Sequence, residues 1–463
     1  MRKSGYQIDM LNGPLAGKLL LFALPLMLSS LLQLLFNAAD VVVVGRYVGK
    51  QALAAVGSNT ALINLLVNVF TGLSVGANVI VARDLGAERE EDIQKSVHTS
   101  LTLALFSGLL LAAAGTLLAR TLLELTSSPE DVIDLAAVYL KIYFCGMPAN
   151  MLYNFGSAIL RAQGDTRRPL YFLTLAGVVN VALNLLFVIG LQMSVAGVAL
   201  ATITSQYISA ALVLYCLVRE KGTLHFDVKK LGLDRRTVKR IVQVGLPAGF
   251  QGLMFSLSNV VIQSSINSFA STVVAGSTAA GNIEGFVYVS MNAFYQSALT
   301  FTSQNYGAGE CRRVDRVLLL CLLYSSVTGM ILGGLAVFFG HELASIYAPG
   351  DEAVIGCAVE RLRYVGLPYF LCGVMEAFVG VLRGIGYSVV PMVVTLVGAC
   401  GLRLVWVATV FRMHPSPAVL YISYPISWIV TAAIQMSFLL LVRKHAYAKV
   451  TGIHGIQQEN PAP

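Results

Sequence analysis

From Leu15 to Val442 the chain is a succession of long apolar runs separated by short stretches rich in Gly, Pro and charge. A bilayer core takes about 20 apolar residues per helix. Runs of at least that length recur at roughly 15–44, 52–82, 93–118, 132–160, 168–190, 194–218, 237–269, 273–305, 314–339, 353–382, 387–411 and 417–442. The pattern predicts about twelve transmembrane helices. Several runs are longer than a bilayer needs, which implies tilt or projecting ends, and Pro25, Pro148, Pro247 and Pro368 mark kinks. A polar segment, Met1 to Gly13, precedes the first run, so that run does not read as a cleavable signal peptide.

The pattern repeats at an offset near 222. Ala23-Leu-Pro25 answers Gly245-Leu-Pro247, Asp84-Leu-Gly86-Ala87 answers Asn305-Tyr-Gly307-Ala308, and Gly146-Met-Pro148 answers Gly366-Leu-Pro368. In the turns Arg161-x-x-Gly164 to Pro169 and Arg383-x-x-Gly386 to Pro391, Arg, Gly and Pro return in register. Arg suits a helix end, Gly the turn and Pro the first turn of the next helix, so these motifs read as structural. The chain is therefore expected to be an all-α polytopic membrane protein with two pseudo-symmetric six-helix bundles around a central cavity. Because each half has an even number of spans, the repeats run parallel, a shape suited to alternating access. Residues 1–218 form the expected N-terminal lobe, 219–236 a basic linker, and 237–463 the C-terminal lobe with its tail.

Composition excludes a soluble globule: 56% of residues are hydrophobic and 12% charged. About three quarters of the 32 Lys and Arg fall on the N-terminus, the tail and alternate loops. Lys and Arg are retained on cytoplasmic loops, so both termini are expected to be cytoplasmic in a multi-pass plasma (inner) membrane protein. The most basic stretch, Arg219 to Arg240, has little aromatic interleaving and sits where cytoplasmic charge belongs; no nucleic-acid partner is expected. The seven Cys show no C-x-x-C spacing and read as packing residues rather than a metal or disulfide framework.

No ATP-driven engine is visible. Gly13-Pro-Leu-Ala-Gly17-Lys18 has its glycines too close for a P-loop and Leu19 where a magnesium-binding hydroxyl belongs. In His341-Glu342, Ser345 takes the second histidine's place, so it is no zinc motif. No cofactor, no metal and no enzymatic activity are expected.

The candidate chemistry lies in the first run. Asp40 stands inside Leu31 to Gly45 as a lone carboxylate, and an ionised acid in hydrocarbon usually faces a watery cavity, holds a partner or titrates. Asn180 and Asn184, four residues apart, share a helix face, with Thr202 early in the next span. They are either interhelical hydrogen-bonding residues or help for a carboxyl or cation. Glu284 and Glu376 are the intramembrane acids of the second half; with Gln33, Asn37, Gln251 and Asn259 they are candidates for a substrate cavity, and each acid could equally pair with a buried base or snorkel. Lys141 and Arg361 hold matching repeat positions and read as interfacial anchors or ion-pair partners. Arg363 and Arg403 are unassigned.

Asn37-Ala-Ala-Asp40 with Val44-Gly45-Arg46, the Gly86-Ala87 and Gly307-Ala308 helix ends and the doubled Arg-x-x-Gly turn together resemble the multidrug and toxic compound extrusion (MATE) family, over nearly the whole chain. The resemblance implies ion-coupled antiport of organic cations or amphipathic drugs out of the cell, with the first helix hinged at Pro25 and bending as Asp40 changes protonation. It also implies an ion site at Asp40, Asn180, Asn184 and Thr202. One branch of the family carries a second acid where Asn184 stands, and the acid another branch carries in helix 7 is missing here. One carboxylate suffices for a proton, whereas sodium needs several oxygen ligands with enough charge. Proton is therefore expected in preference to sodium, with sodium at the same four residues as the alternative. The other readings are a lipid-linked oligosaccharide flippase of the same architecture, for which several cationic cavity residues would be expected, and, further off, a channel or receptor. The expected partners are small organic cationic or amphipathic substrates and the lipid bilayer, with the protein a monomer.

Overall fold

The computed structural model describes residues 5–125 and 130–458, and among them every regular element is helical. The helices are α1 (Leu15–Tyr47), α2 (Lys50–Gly86), α3 (Glu90–Leu125), α4 (Glu130–Cys145, then Met147–Ala162), α5 (Arg167–Gly190) and α6 (Ser194–Arg219). The second half supplies α7 (Arg235–Ile266), α8 (Ser271–Gly307), α9 (Cys311–Phe338), α10 (Glu352–Gly384), α11 (Val389–Phe411) and α12 (Pro417–Gln458), with a short helix Gly340–Tyr347 after α9. Ten of the described helices are long and apolar enough to cross a bilayer, or eleven when α4, bent by 46° at Gly146, counts as one span. The expectation was about twelve. Of the predicted spans, 273–305 falls on α8, whose 37 residues are long enough but interrupted by Ser, Thr, Asn and Gln.

The repeated turns have one geometry. Gly164 and Gly386 both have positive φ, +94° and +101°, which a side chain would strain. In the first, the Asp165 carboxylate accepts the backbone N–H groups of Arg167 and Arg168 at 3.1 Å each, capping the exposed amides where α5 begins.

The chain packs as two compact units, one made of residues to Ile8 with Leu28–Gly249 and the other of Asp9–Met27 with residues from Phe250 onward. These boundaries differ from the expected 218/237 division. Besides the break after Ile8, the two breaks inside helices each fall two residues after one of the repeat-equivalent prolines, Pro25 and Pro247. The basic stretch 219–236 belongs to the first unit because its backbone is tied to α3. Gln94 donates to the Thr223 carbonyl at 2.6 Å, and the Asp227, Gly232 and Asp234 amides donate to His98, Thr102 and Thr99. The start of α7 follows: Arg240 pairs with the buried Asp84 at 2.6 Å. Gly245 approaches α2 so closely that a Cβ there would stand 2.6 Å from the Leu73 Cα, so this half of α7 packs backbone to backbone. In the second unit, Phe22 of α1 meets Phe301 of α8 edge-on at 5.4 Å, and Asn305 and Arg313 donate to the Met10 carbonyl.

Candidate functional site

The first unit builds its site where α1 crosses α5. Phe36 and Asp40 lie one turn apart on α1, and Gly177 and Asn184 two turns apart on α5, so each pair shares a face. The Phe36 ring rests on Gly177, in space that any Cβ would fill. That close approach carries Asp40 to Asn184. The Asn184 Nδ2 donates to Asp40 Oδ1 at 2.5 Å and to Asn180 Oδ1 at 3.3 Å, while Asn184 Oδ1 is buried without a hydrogen-bond partner. α5 widens into a π-helix, Leu185–Gly190, directly after Asn184. Such segments recur at functional sites.

Asp40 belongs to none of the ion pairs among the described residues. Its hydrogen-bond partner is the Asn184 amide, which orients a carboxylate without neutralising it. Thr202 is spent differently: its hydroxyl donates to the Val198 carbonyl of its own helix at 2.9 Å. Thus three of the four expected ion-site residues form one hydrogen-bonded chain, and the fourth is not linked to it. Sequence reasoning missed Tyr139 and Tyr143 of α4, which stack on each other at 6.0 Å and lie within electrostatic reach of Asp40. Their i, i+4 spacing was visible, but nothing local ties α4 to α1.

The other candidates scatter. Pro25 lies inside α1, in the portion that packs with the second unit. Gln33, Asn37 and Asn259 are exposed on α1 and α7. Gln251 is buried and accepts from Arg383 at 2.8 Å, and Arg383 also donates to the Tyr295 hydroxyl at 2.6 Å. Glu284 is buried and held by Arg361 through two hydrogen bonds of 3.0 and 2.9 Å, with Ser277 taking a third guanidinium bond at 2.7 Å. Glu284 is thus held in an internal ion pair, and Arg361, 8% exposed, takes the ion-pairing alternative rather than the interfacial one. Its repeat counterpart Lys141 is exposed, as is Arg363. Glu376 is buried on α10 with no ion-pair partner within the salt-bridge distances of the described residues.

The MatE family model matches residues 25–186 and again 247–409, each match covering one copy of the repeat. The chain belongs to that family. A probable multidrug resistance protein, YoeA of Bacillus subtilis (strain 168), is 28% identical over 91% of this chain and 91% of its own length. A second from the same organism, YpnP, is 27% identical over 85% of this chain and 88% of its own. A crystal structure of MATE in complex with MaL6 superposes with a TM-score of 0.89 at 21% identity, over 96% of this chain and 99% of that one. This MATE family member is a multi-pass membrane protein and a transporter rather than an enzyme.

Proposed function

We propose that the protein exports small organic cations or amphipathic drugs in exchange for protons, by alternating access, with Asp40 as the proton-carrying group. The observation that carries this reading is a half-buried carboxylate held by the Asn184 amide and by no cation among the described residues. In an apolar span such a group is costly as a bare anion, so it loads either a proton or a cation from outside. A proton on Oδ1 reverses its bond to Asn184: the carboxyl becomes the donor, and the amide must turn its unpartnered Oδ1 toward it. That rotation also disturbs the Asn184–Asn180 bond, so one proton changes a chain of contacts between α1 and α5.

Sodium remains the competing ion. The unpartnered Asn184 oxygen and Asn180 Oδ1 are the kind of hard donors it takes, but Asp40 is the only full charge of the four residues expected to form the site. The protein is expected to work as a monomer in the plasma (inner) membrane with both termini cytoplasmic. The test is reconstitution in sodium-free liposomes with rhodamine 123 as the substrate and an imposed pH gradient. Uphill movement driven by the pH gradient alone is the expected result. Movement that starts only when sodium is added, with no response to pH, would overturn proton coupling.

A further inference from the structure

We infer that Arg403 forms an anion-recognition site in the second unit, and that it selects aromatic compounds carrying a carboxylate or sulfonate. The inference rests on the transport reading above and assigns part of the substrate chemistry to a residue outside the Asp40 site.

Arg403 is 2% exposed, yet belongs to none of the ion pairs among the described residues. Its Nε donates to the Ser427 hydroxyl at 2.9 Å, while its Nη2 is buried with no acceptor. The guanidinium carbon lies over the Tyr424 ring, 4.2 Å from its centroid, and 5.7 Å from the centroid of the Trp428 ring. Aromatic faces stabilise a cation without neutralising it or satisfying its N–H groups. The neighbouring buried Arg361 differs in this respect, because Glu284 takes up its charge and two of its donors. A buried guanidinium with a spare donor is fitted to a planar oxyanion, which it binds through directed, charge-assisted hydrogen bonds.

The repeat adds an independent reason to place a ligand there. The two family matches begin at 25 and 247 and end at 186 and 409, an offset of 222 to 223. Asn180 then corresponds to Leu402 or Arg403, Asn184 to Trp406 or Val407, and Thr202, beyond the end of the first match, to Tyr424 or Pro425. Arg403 and Tyr424 thus each stand at, or one residue from, a place that holds a polar residue of the first repeat. Both copies also depart from α-helical geometry there. In α5 a π-helix follows Asn184, and in α11 π-helical stretches Leu396–Gly401 and Val407–Phe411 flank the short α-helical piece that carries Arg403. A ladder interrupted on both sides can shift locally and let a ligand reach the guanidinium. The duplicated scaffold therefore carries a negative group in one copy and an unneutralised positive group in the other. Tyr424 and Trp428 beside that charge favour an aromatic ligand body.

The test uses fluorescein and rhodamine 123, which share a xanthene core and differ in charge, and measures their binding to the full-length protein in phosphatidylcholine nanodiscs. The wild type should bind both. Arg403→Gln should lose at least tenfold in fluorescein affinity and keep rhodamine 123 within about twofold, and Arg403→Lys should fall between. Because Arg403→Gln can fail to fold, the wild type alone is also tested by competition: 1-naphthoate should displace fluorescein, and protonated 1-naphthylmethylamine should not. Failure of the wild type to bind fluorescein, equal loss of both dyes in a folded Arg403→Gln protein, or equal displacement by the two naphthalenes would overturn the inference. Loss of fluorescein binding when phosphatidylglycerol is added to the disc would reassign the guanidinium to a lipid phosphate and overturn the substrate assignment. A wild type that binds fluorescein but not rhodamine 123 would count against the cation-export reading instead.

Discussion

Where α1 crosses α5 the first unit holds one carboxylate bonded by an amide, whereas the second unit holds three buried arginines and two buried acids, most of them tied to each other or to polar side chains. Asp40 has a donor from Asn184 and no counter-charge. Arg361 and Glu284, by contrast, satisfy one another, and Arg383 is fixed by Tyr295 and Gln251. The difference teaches which charges are free to work. A buried ion pair neutralises itself and resists titration, because removing either partner leaves the other uncompensated. A carboxylate held by an amide keeps its charge available to whatever enters the site.

Asp40→Asn is the sharpest break in this comparison. It removes the one titratable group while nearly preserving shape, and uphill efflux should fall to background with insertion and folding unchanged. Drug resistance in cells expressing the variant at wild-type level measures it, and full resistance would remove Asp40 from the coupling step.

The second unit predicts the opposite phenotype, a loss of stability. Arg361→Met should destabilise the protein by about 3–5 kcal/mol, since Glu284 is left buried and unpaired. Adding Glu284→Gln should restore most of that loss, because the two substitutions together leave no stranded charge. Thermal unfolding in detergent reads both. A double variant as unstable as the single would mean that the ion pair was not what Arg361 supplied.

A smaller effect should come from the packing that sets the first site. Gly177→Val pushes a side chain into the Phe36 ring, an overpacking that costs about 1–3 kcal/mol and displaces Asp40 from Asn184. Transport should drop, and Phe36→Ala in the same chain should recover part of it. Recovery is the informative result, since a general folding defect would not respond to space made at that one contact.

The smallest and most discriminating change is Asn184→Asp, which places a second acid beside Asp40. Like-charge repulsion keeps one of the two protonated unless a cation joins them, so transport should persist and acquire sodium dependence. Asn184→Ala should impair coupling less than Asp40→Asn. If transport and ion response in both Asn184 variants match the wild type, the amide is a packing residue.

Asp40, Asn180 and Asn184 were legible before any coordinates because their signals are local: one charge in an apolar run, and two amides at helical spacing. The repeat was equally legible, since Arg, Gly and Pro return in register and a turn needing positive φ keeps its glycine. The alternatives for Glu284, a cavity acid or the partner of a buried base, could not be separated from the sequence for a physical reason. Its partner Arg361 is 77 residues away, and no periodicity records a pairing between separate helices. The basic stretch after α6 was read as a linker from its charge, while its attachment to α3 runs through backbone amides that leave no mark in side-chain composition.

Sequence by itself determined the helical class, the duplication and the single acid of the first helix, because apolar length, residue recurrence and charge are properties of the chain read in order. Tertiary structure alone decided which polar groups meet. It left Tyr139 and Tyr143 within electrostatic reach of Asp40, joined Glu284 to Arg361 in an ion pair, and left Arg403 buried with a donor unused. Those outcomes depend on how closely helix backbones approach, and that is set at contacts such as Phe36 on Gly177, between residues far apart in the chain.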